Sequence, residues 1–283
     1  MCGIVGAVAE RDVVPILMDG LRRLEYRGYD SAGIAIRNGN NINRLRRAGK
    51  VQELQNALDA SPLEGQVGIS HTRWATHGIP NEANAHPHVS MDDVTVVHNG
   101  IIENFEALKQ KMLALGYAFE SETDTEAIAH AIQHRLKVSG DLANAVRETL
   151  ADLEGAYALA VMSVTDPGRL VIARAGCPVI VGIGQGENFV ASDIAALLPV
   201  TRNYMILDEG DIAVVDRTSV TVFDEDGNEA SRDVIESELT ADAAERGDFR
   251  HYMQKEIHEQ AEACLLYTSD AADEGLGVDL GGR

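Results

Sequence analysis

The sequence of 283 residues has little cysteine, few aromatic side chains and no long apolar run. Its three cysteines, Cys2, Cys177 and Cys264, are too few for a disulfide framework and lack the spacing of zinc ligands. Without an apolar run of about 20 residues, we expect no membrane-spanning helix. The apolar start is not preceded by basic residues and ends at Glu10 and Arg11. We therefore expect no signal peptide and a cytoplasmic protein.

Basic residues are also scarce. The chain has 24 Lys and Arg against 45 Asp and Glu, which gives a formal net charge of -21. A nucleic-acid-binding surface needs surplus cations to neutralise phosphates, so we expect no nucleic-acid partner. Solubility explains this excess of acidic residues better than binding to a cationic partner does.

Apolar periodicity along the chain predicts strands, then helices, then further strands. GIVGAVA after Cys2 is typical of a buried strand, and VGIS and VTVVH predict two more. Apolar residues at three- and four-residue spacing predict helices over 12–25, over 103–115, after Thr123 and over 142–153. Thr123 and Glu126 have the spacing of a capping box. Short strands separated by turn residues then follow, so the order favours a layered α+β fold.

Cys2 follows Met1 directly and precedes the first predicted strand. Removal of methionine is common before a small residue, and it would leave a thiol and a free α-amino group on one residue. An α-amino group with a pKa of about 7.7–8.0 can accept the thiol proton and return it to a leaving group. Position alone is weak evidence, because a small apolar strand residue explains this cysteine more simply.

Six segments in order carry a more specific signal. They are CGIVG, LRRLEYRGYDSAG (21–33), HTRWATHG (71–78), NAHPH (84–88), HNGIIENF (98–105) and ETDTE (122–126). Together they resemble the glutaminase domain of the glutamine–fructose-6-phosphate aminotransferases, which are class II glutamine amidotransferases. The similarity extends over about residues 2–260. LEYRGYDSAG and HYMQKEI favour these enzymes over relatives that make purines or asparagine.

The resemblance implies a four-layer αββα sandwich of the N-terminal-nucleophile hydrolase type. It implies that Cys2 attacks the amide carbon of L-glutamine, that ammonia leaves, and that water releases glutamate from the thioester. The tetrahedral intermediate needs hydrogen-bond donors, and the resemblance assigns them to the Asn99 side chain and the Gly100 backbone N–H. Taken alone, Asn-Gly after a strand favours a hairpin turn, which could also present an N–H group.

Further site residues follow from the same resemblance. Arg73 is expected to bind the α-carboxylate of glutamine through paired donors, and Asp124 is expected to receive the α-ammonium group. Thr76 and His77 are expected to line the same pocket. Without the resemblance, Arg73 is explained by a surface ion pair, and Asp124 by the preference for acidic residues at a helix start.

Three more residues are assigned by resemblance. Trp74, the single tryptophan, resembles a residue that gates the passage of ammonia, although a core or interface aromatic is the simpler explanation. Arg27 and Gly28 resemble a loop that approaches the nucleophile. Cys177 is interpreted as a small buried residue and not as a second nucleophile.

We expect neither a metal nor a cofactor. Five histidines are close in sequence, but they have no neighbouring cysteine and no pair four apart on a helix. They are His71, His77, His86, His88 and His98. The glycine-rich GIGQGEN (182–188) is followed by a predicted strand and not by the helix of a dinucleotide loop, so a hairpin is expected there.

The resemblance also suggests a division of the chain. We expect a glutaminase domain over 2–240 and, over 241–263, a linker towards sugar isomerase domains that the sequence lacks. Residues 264–283 are expected to be a non-native tail, such as a translated vector or adapter run-on, with a natural truncation as the alternative. The full-length protein is expected to be a homodimer through the isomerase domains, while this chain would hydrolyse glutamine only.

Two other functions stay open from the sequence. One is the glutaminase half of another amidotransferase, from the purine or asparagine pathway. The other is a non-catalytic glutamine-binding module, which would use Arg73 and Asp124 but would not need Cys2 or Asn99.

Overall fold

Two antiparallel β-sheets form the framework of residues 2–239, which the computed structural model describes together with residues 254, 257 and 258. The strands are β1 (Gly3–Val8), β2 (Ser31–Asn38), β3 (Asn41–Ala48), β4 (Val67–Arg73), β5 (His88–Ser90), β6 (Val94–Ile102), β7 (Gly155–Ser163), β8 (Arg169–Ala175), β9 (Ile180–Ile183), β10 (Asn188–Ala191), β11 (Asn203–Ile206), β12 (Ile212–Asp216), β13 (Val220–Phe223), β14 (Glu229–Ala230) and β15 (Val234–Glu236). The first sheet has the order β15-β11-β9-β10-β1-β4-β2-β3, and the second has the order β14-β13-β12-β8-β7-β6-β5.

Helices cover the outer face of each sheet. They are α1 (Val14–Arg23), α2 (Val51–Ala60), α3 (Phe105–Ala114), α4 (Asp124–Ser139) and α5 (Leu142–Leu150). Helices α1 and α2 pack on the first sheet, α4 and α5 pack on the second, and α3 packs on α4. The result is the four-layer αββα sandwich that the family resemblance implied.

Alternating side chains explain why the sheets are buried on both faces. In β1, Ile4 and Val8 point into the core between the sheets, whereas Val5 and Ala7 pack under the helices of the first layer. This period of two is the geometry of an extended strand. An apolar run such as GIVGAV therefore indicates a strand covered on two sides.

The central position of β1 places Cys2 at one end of the sandwich. Gly3 pairs with Thr72 of the neighbouring β4, so Cys2 lies beside Arg73 at the end of that strand. Strand β6 of the second sheet contacts β1 across the core. Residues from both sheets thus converge at this end of the molecule.

The predicted elements are found with shifted boundaries, and five were not predicted, namely strands β3, β5, β14 and β15 and helix α2. The first helix begins at Val14, not at residue 12, and a 3₁₀ turn over Glu25–Arg27 follows it. In α2, Val51, Leu54 and Leu58 form a buried stripe at helical spacing. The 182–188 segment does connect two antiparallel strands, β9 and β10, as expected.

The predicted capping box at Thr123 is wrong in its hydrogen bonds. Thr123 is the residue before α4, but its hydroxyl makes no capping bond and instead contacts His88 Nε2 at 2.9 Å. The Glu126 carboxylate accepts the backbone N–H groups of Glu120 and Ser121. The Glu126 side chain therefore binds the segment before the helix and does not accept the backbone N–H of Thr123, as a capping box would require.

No helix in the described part of the chain is long and apolar enough to cross a membrane. The predicted linker and tail, 241–263 and 264–283, lie outside the described residues except for Gln254, Ile257 and His258, which are helical.

Candidate active site

The thiol of Cys2 lies at the start of β1, next to the loop that follows β4. Its Sγ accepts the backbone N–H of Trp74 at 3.2 Å. Burial raises the pKa of the Cys2 thiol, and the Trp74 hydrogen bond and the positive charge of Arg73 only partly oppose that rise. The thiol is therefore protonated near neutral pH and needs a base before it can act as a nucleophile.

Asn99 and Gly100 lie inside β6, so the hairpin turn favoured by the Asn-Gly pair taken alone is wrong. They are paired with Ala158 and Tyr157 of β7, and the strand continues to Ile102. Asn99 Nδ2 donates to the backbone carbonyl of Cys2 at 3.4 Å. Gly100 has a φ of 130°, and a Cβ there would overlap the carbonyl oxygen of Ala156. Only glycine suits this strand position.

His71 contacts the other end of the Asn99 side chain, which the sequence did not predict. Its Nε2 lies 3.0 Å from Asn99 Oδ1, and both groups are buried. Burial lowers the pKa of His71 to about 3, although the hydrogen bond to Asn99 opposes this, so the ring is neutral. His71 thus connects β4 of the first sheet to β6 of the second.

Arg73 is buried at the end of β4, with only 3% of its surface exposed, so a surface ion pair does not describe it. One guanidinium nitrogen donates to the backbone carbonyls of His77 and Gly78. The other, Nη1, has no hydrogen-bond partner among the described residues and lies 3.6 Å from Asp30. A buried donor without a partner is rare in proteins and is suited to an anionic ligand.

Asp30 was not singled out by the sequence, although it lies in the YRGYDSAG segment. Its carboxylate accepts the backbone N–H of Ala75 and faces Arg73. Its own N–H donates to the Arg73 carbonyl at 2.7 Å. Asp30 therefore holds both the guanidinium and the start of the following loop.

Asp124 is the first residue of α4 and is buried. Its carboxylate accepts the Ile102 N–H at 3.0 Å and the Thr125 hydroxyl at 3.2 Å, and it lies 3.7 Å from His98 Nδ1. Burial acts to raise the pKa of Asp124, but hydrogen bonding to His98 and Ile102 outweighs it and lowers the pKa below its ordinary value. A buried carboxylate that stays ionised is suited to an ammonium group.

One pocket contains most of the predicted site residues. Its lining comprises Cys2, Arg73, Trp74, Thr76, His77, His86, His98, Gly100, Thr123 and Asp124. Asn99 lies directly behind this lining, bonded to Cys2. The sequence named Thr123 only as a helix cap, and it named His86 and His98 only as metal candidates.

Arg27, Gly28 and Trp74 form one edge of the site. Arg27 donates to the Cys2 carbonyl at 3.4 Å and pairs with Asp193 at 2.6 Å. A Cβ on Gly28 would lie 2.8 Å from the ring of Trp74, so the indole packs directly over this glycine. Trp74 is 55% exposed, which makes it a surface residue at the pocket mouth and not a core aromatic.

The buried histidines make hydrogen bonds to protein groups. His98 Nδ1 contacts Thr125 Oγ1 at 3.1 Å, and His86 Nδ1 accepts the His98 N–H at 3.4 Å. Burial, the largest effect, lowers the pKa values of His86 and His88 well below the ordinary range. In the described residues, no group of three His, Cys, Asp or Glu is arranged to hold a metal ion.

Cys177 is half-buried and packs against the core between the sheets. It does not line the pocket that contains Cys2.

Comparison with known proteins agrees with this geometry. The model of the glutamine amidotransferase domain family matches residues 71–199. The chain is 58% identical over 260 residues to the glutamine–fructose-6-phosphate aminotransferase (isomerizing) of Shewanella oneidensis, covering 92% of this chain and 43% of that protein. The enzyme of the same name from Vibrio vulnificus is 54% identical over 286 residues, and the match covers 99% of this chain and 47% of that protein.

A solved structure with a similar fold is the glutamine phosphoribosylpyrophosphate amidotransferase of B. subtilis. The two share 25% identity with a TM-score of 0.68, over 81% of this chain and 50% of that one. The chain thus spans less than half the length of the curated relatives it matches. Residues 71–199 thus match the glutamine amidotransferase domain family, and the chain as a whole is similar to part of the glutamine–fructose-6-phosphate aminotransferases.

Proposed function

We propose that this domain hydrolyses L-glutamine to glutamate and ammonia through a thioester on Cys2. The observation that carries the proposal is the convergence of four groups on one pocket. They are a thiol, a guanidinium nitrogen without a hydrogen-bond partner among the described residues, an ionised carboxylate and the Asn99–Gly100 strand. This set matches the chemistry of an amide with an α-carboxylate and an α-ammonium group.

The proton transfers follow from the protonated state of the thiol. Once Met1 is removed, the free α-amino group of Cys2 accepts the thiol proton as sulfur attacks the amide carbon. It then donates that proton to the departing ammonia. The Asn99 Nδ2 and the Gly100 N–H donate to the oxyanion of the tetrahedral intermediate. When water then attacks the thioester, a second tetrahedral intermediate forms, and the same two groups donate to its oxyanion.

Substrate binding is assigned to charges on two elements. Arg73 at the end of β4 binds the α-carboxylate, and Asp124 at the start of α4 binds the α-ammonium group. Thr76 and His77, in the loop after β4, line the space between them. Trp74 and Gly28 form the rim, and Arg27 holds the Cys2 backbone.

The activity of a longer protein is a further part of the proposal. The relatives are named glutamine–fructose-6-phosphate aminotransferases, so the ammonia would convert fructose 6-phosphate to glucosamine 6-phosphate on isomerase domains. Residues 2–240 would be the glutaminase domain and 241–263 a linker. A homodimer through the isomerase domains and a cytoplasmic location, where thiols stay reduced, complete this proposal.

The experiment compares two preparations of this chain that differ only in Met1. Intact mass gives the fraction of chains that start at Cys2, and a coupled assay gives glutamate release. We expect release to scale with the fraction that starts at Cys2, because a retained Met1 acylates the α-amino base. Equal rates with and without Met1 would overturn the proposed base.

A further inference from the structure

We propose that His71 is a positioning residue, which holds the Asn99 amide so that its NH₂ group faces Cys2. This inference rests on the proposed function, since it assigns a role to the support of the proposed oxyanion donor.

The orientation of the Asn99 amide follows from its two partners. The Cys2 backbone carbonyl, 3.4 Å from Nδ2, can only accept a hydrogen bond, so the NH₂ group must face it. The amide oxygen then faces His71 Nε2 at 3.0 Å, and an amide oxygen can only accept. His71 Nε2 therefore carries a proton and donates it.

The second ring nitrogen agrees with this tautomer. His71 Nδ1 is buried and has no hydrogen-bond partner among the described residues. In a neutral ring protonated on Nε2, Nδ1 is a bare acceptor. The opposite tautomer would set two acceptors against each other at Asn99, because a bare Nε2 would face the amide oxygen.

The ring itself is held rigidly. His71 pairs with Ile4 in the β1–β4 register, and its side chain is fully buried. The ring of His86 stacks on it with centroids 4.3 Å apart and planes inclined by 26°. A donor fixed in this way prevents the amide of Asn99 from rotating by 180°, which would aim its oxygen at the developing oxyanion.

The test uses a matched pair of replacements in the processed chain. His71→Gln keeps an N–H donor, whereas His71→Met has similar length and no donor. We expect His71→Met to lower kcat about tenfold with KM unchanged, the effect of losing one hydrogen bond of about 1.4 kcal/mol. His71→Gln should restore most of kcat.

A double replacement separates positioning from general support of the core. Asn99→Ala should lower kcat by about 10²-fold or more, and adding His71→Met should lower it no further, because His71 acts through Asn99. His130→Met is the control, since His130 is another buried histidine, bonded to Ser90 and to the Ala118 carbonyl. It should leave kcat unchanged.

Several outcomes would overturn the inference. One is an equal kcat for His71→Gln and His71→Met. Another is a double variant whose kcat falls by the product of the factors measured for the two single variants. A third is unfolding of either His71 variant, as seen in circular dichroism. A wild-type chain that starts at Cys2 and releases no glutamate would instead contradict the proposed function itself.

Discussion

The side-chain amide of Asn99 lies 3.4 Å from the backbone carbonyl of Cys2, although the two residues belong to different sheets. Cys2 leads into β1 of the first sheet, and Asn99 lies in β6 of the second. The packing of the two sheets therefore sets the distance between the proposed nucleophile and its proposed oxyanion donor. Substitutions that disturb either strand should therefore change catalysis as well as stability.

Replacement of the nucleophile gives the simplest prediction. Cys2→Ala should abolish glutamate release and leave the thermal unfolding midpoint nearly unchanged, because Cys2 is only partly buried and precedes the first strand. Cys177→Ala removes the other described free cysteine and should keep full activity. Residual glutamate release by purified Cys2→Ala above the buffer rate would contradict the assignment.

The pH dependence should report the α-amino base. Because burial raises the pKa of the Cys2 thiol, the reaction needs a neutral amine to take its proton. An amine is neutral above its pKa, so kcat/KM should fall as the pH drops below about 7.7. The profile between pH 5.5 and 9 checks this, and a flat acid limb would indicate a preformed thiolate.

Asp124→Asn should weaken glutamine binding. Loss of a buried charge partner for the ammonium group should raise KM by about 30-fold or more. Asp141→Asn, which removes a carboxylate charge at the exposed N-cap of α5 away from the pocket and keeps a capping oxygen, is the matched control and should leave KM unchanged. Steady-state kinetics on both variants would show equal KM values if Asp124 did not touch the substrate.

The same carboxylate should contribute to acid sensitivity. Its folded-state pKa lies below the ordinary value of 3.8. The stability it provides is thus fully present above that value and is lost as the pH falls through the folded pKa. Urea unfolding between pH 6 and pH 2 measures the free energy of unfolding. The wild type should lose the contribution of Asp124 below about pH 4, and Asp124→Asn should lack this contribution at every pH.

Gly100→Ala should destabilise the chain and not only slow the reaction. Its φ of 130° is strained for alanine, and the added Cβ would overlap the Ala156 carbonyl. We expect a loss of about 3 kcal/mol or more in the free energy of unfolding. Gly140→Ala is the control: its φ is 67° with open space around it, so only about 1–2 kcal/mol should be lost. Equal losses would mean that the crowding at Gly100 is unimportant.

Glu122 should affect KM indirectly. Its carboxylate accepts the Asn84 amide at 2.9 Å, while its N–H donates to Asn84 Oδ1 at 2.9 Å. This pair ties the loop after Arg73 to the segment before Asp124. Glu122→Ala should raise KM about fivefold through the lost hydrogen bonds with little change in kcat. The exposed neighbour Glu120, replaced by alanine, should leave both constants unchanged.

Much of the fold was predictable because its signals are local. The buried strand after Cys2 and the stripe of α4 follow from apolar spacing within single segments. The family resemblance supplied the layer order, which periodicity alone could not. The buried stripe of α2, formed by Val51, Leu54 and Leu58, is a local signal of the same kind.

The errors at the candidate site share one physical cause. Asn99–Gly100 was favoured as a turn from local chemistry, but pairing with β7 keeps it extended. The importance of His71 depends on a partner in the other sheet, and that of Asp30 on a loop 45 residues away. Such long-range contacts override local preferences, and one sequence does not reveal them.

The most direct test of the account is a covalent map of the active site. The processed chain would be treated with an electrophilic glutamine analogue, digested and sequenced by mass spectrometry, with excess glutamine as competitor. We predict a single adduct on the Cys2 thiol, slowed by glutamine and strongly reduced by Arg73→Ala. Saturable glutamine binding with no adduct on Cys2, or an adduct on Cys177 instead, would contradict it.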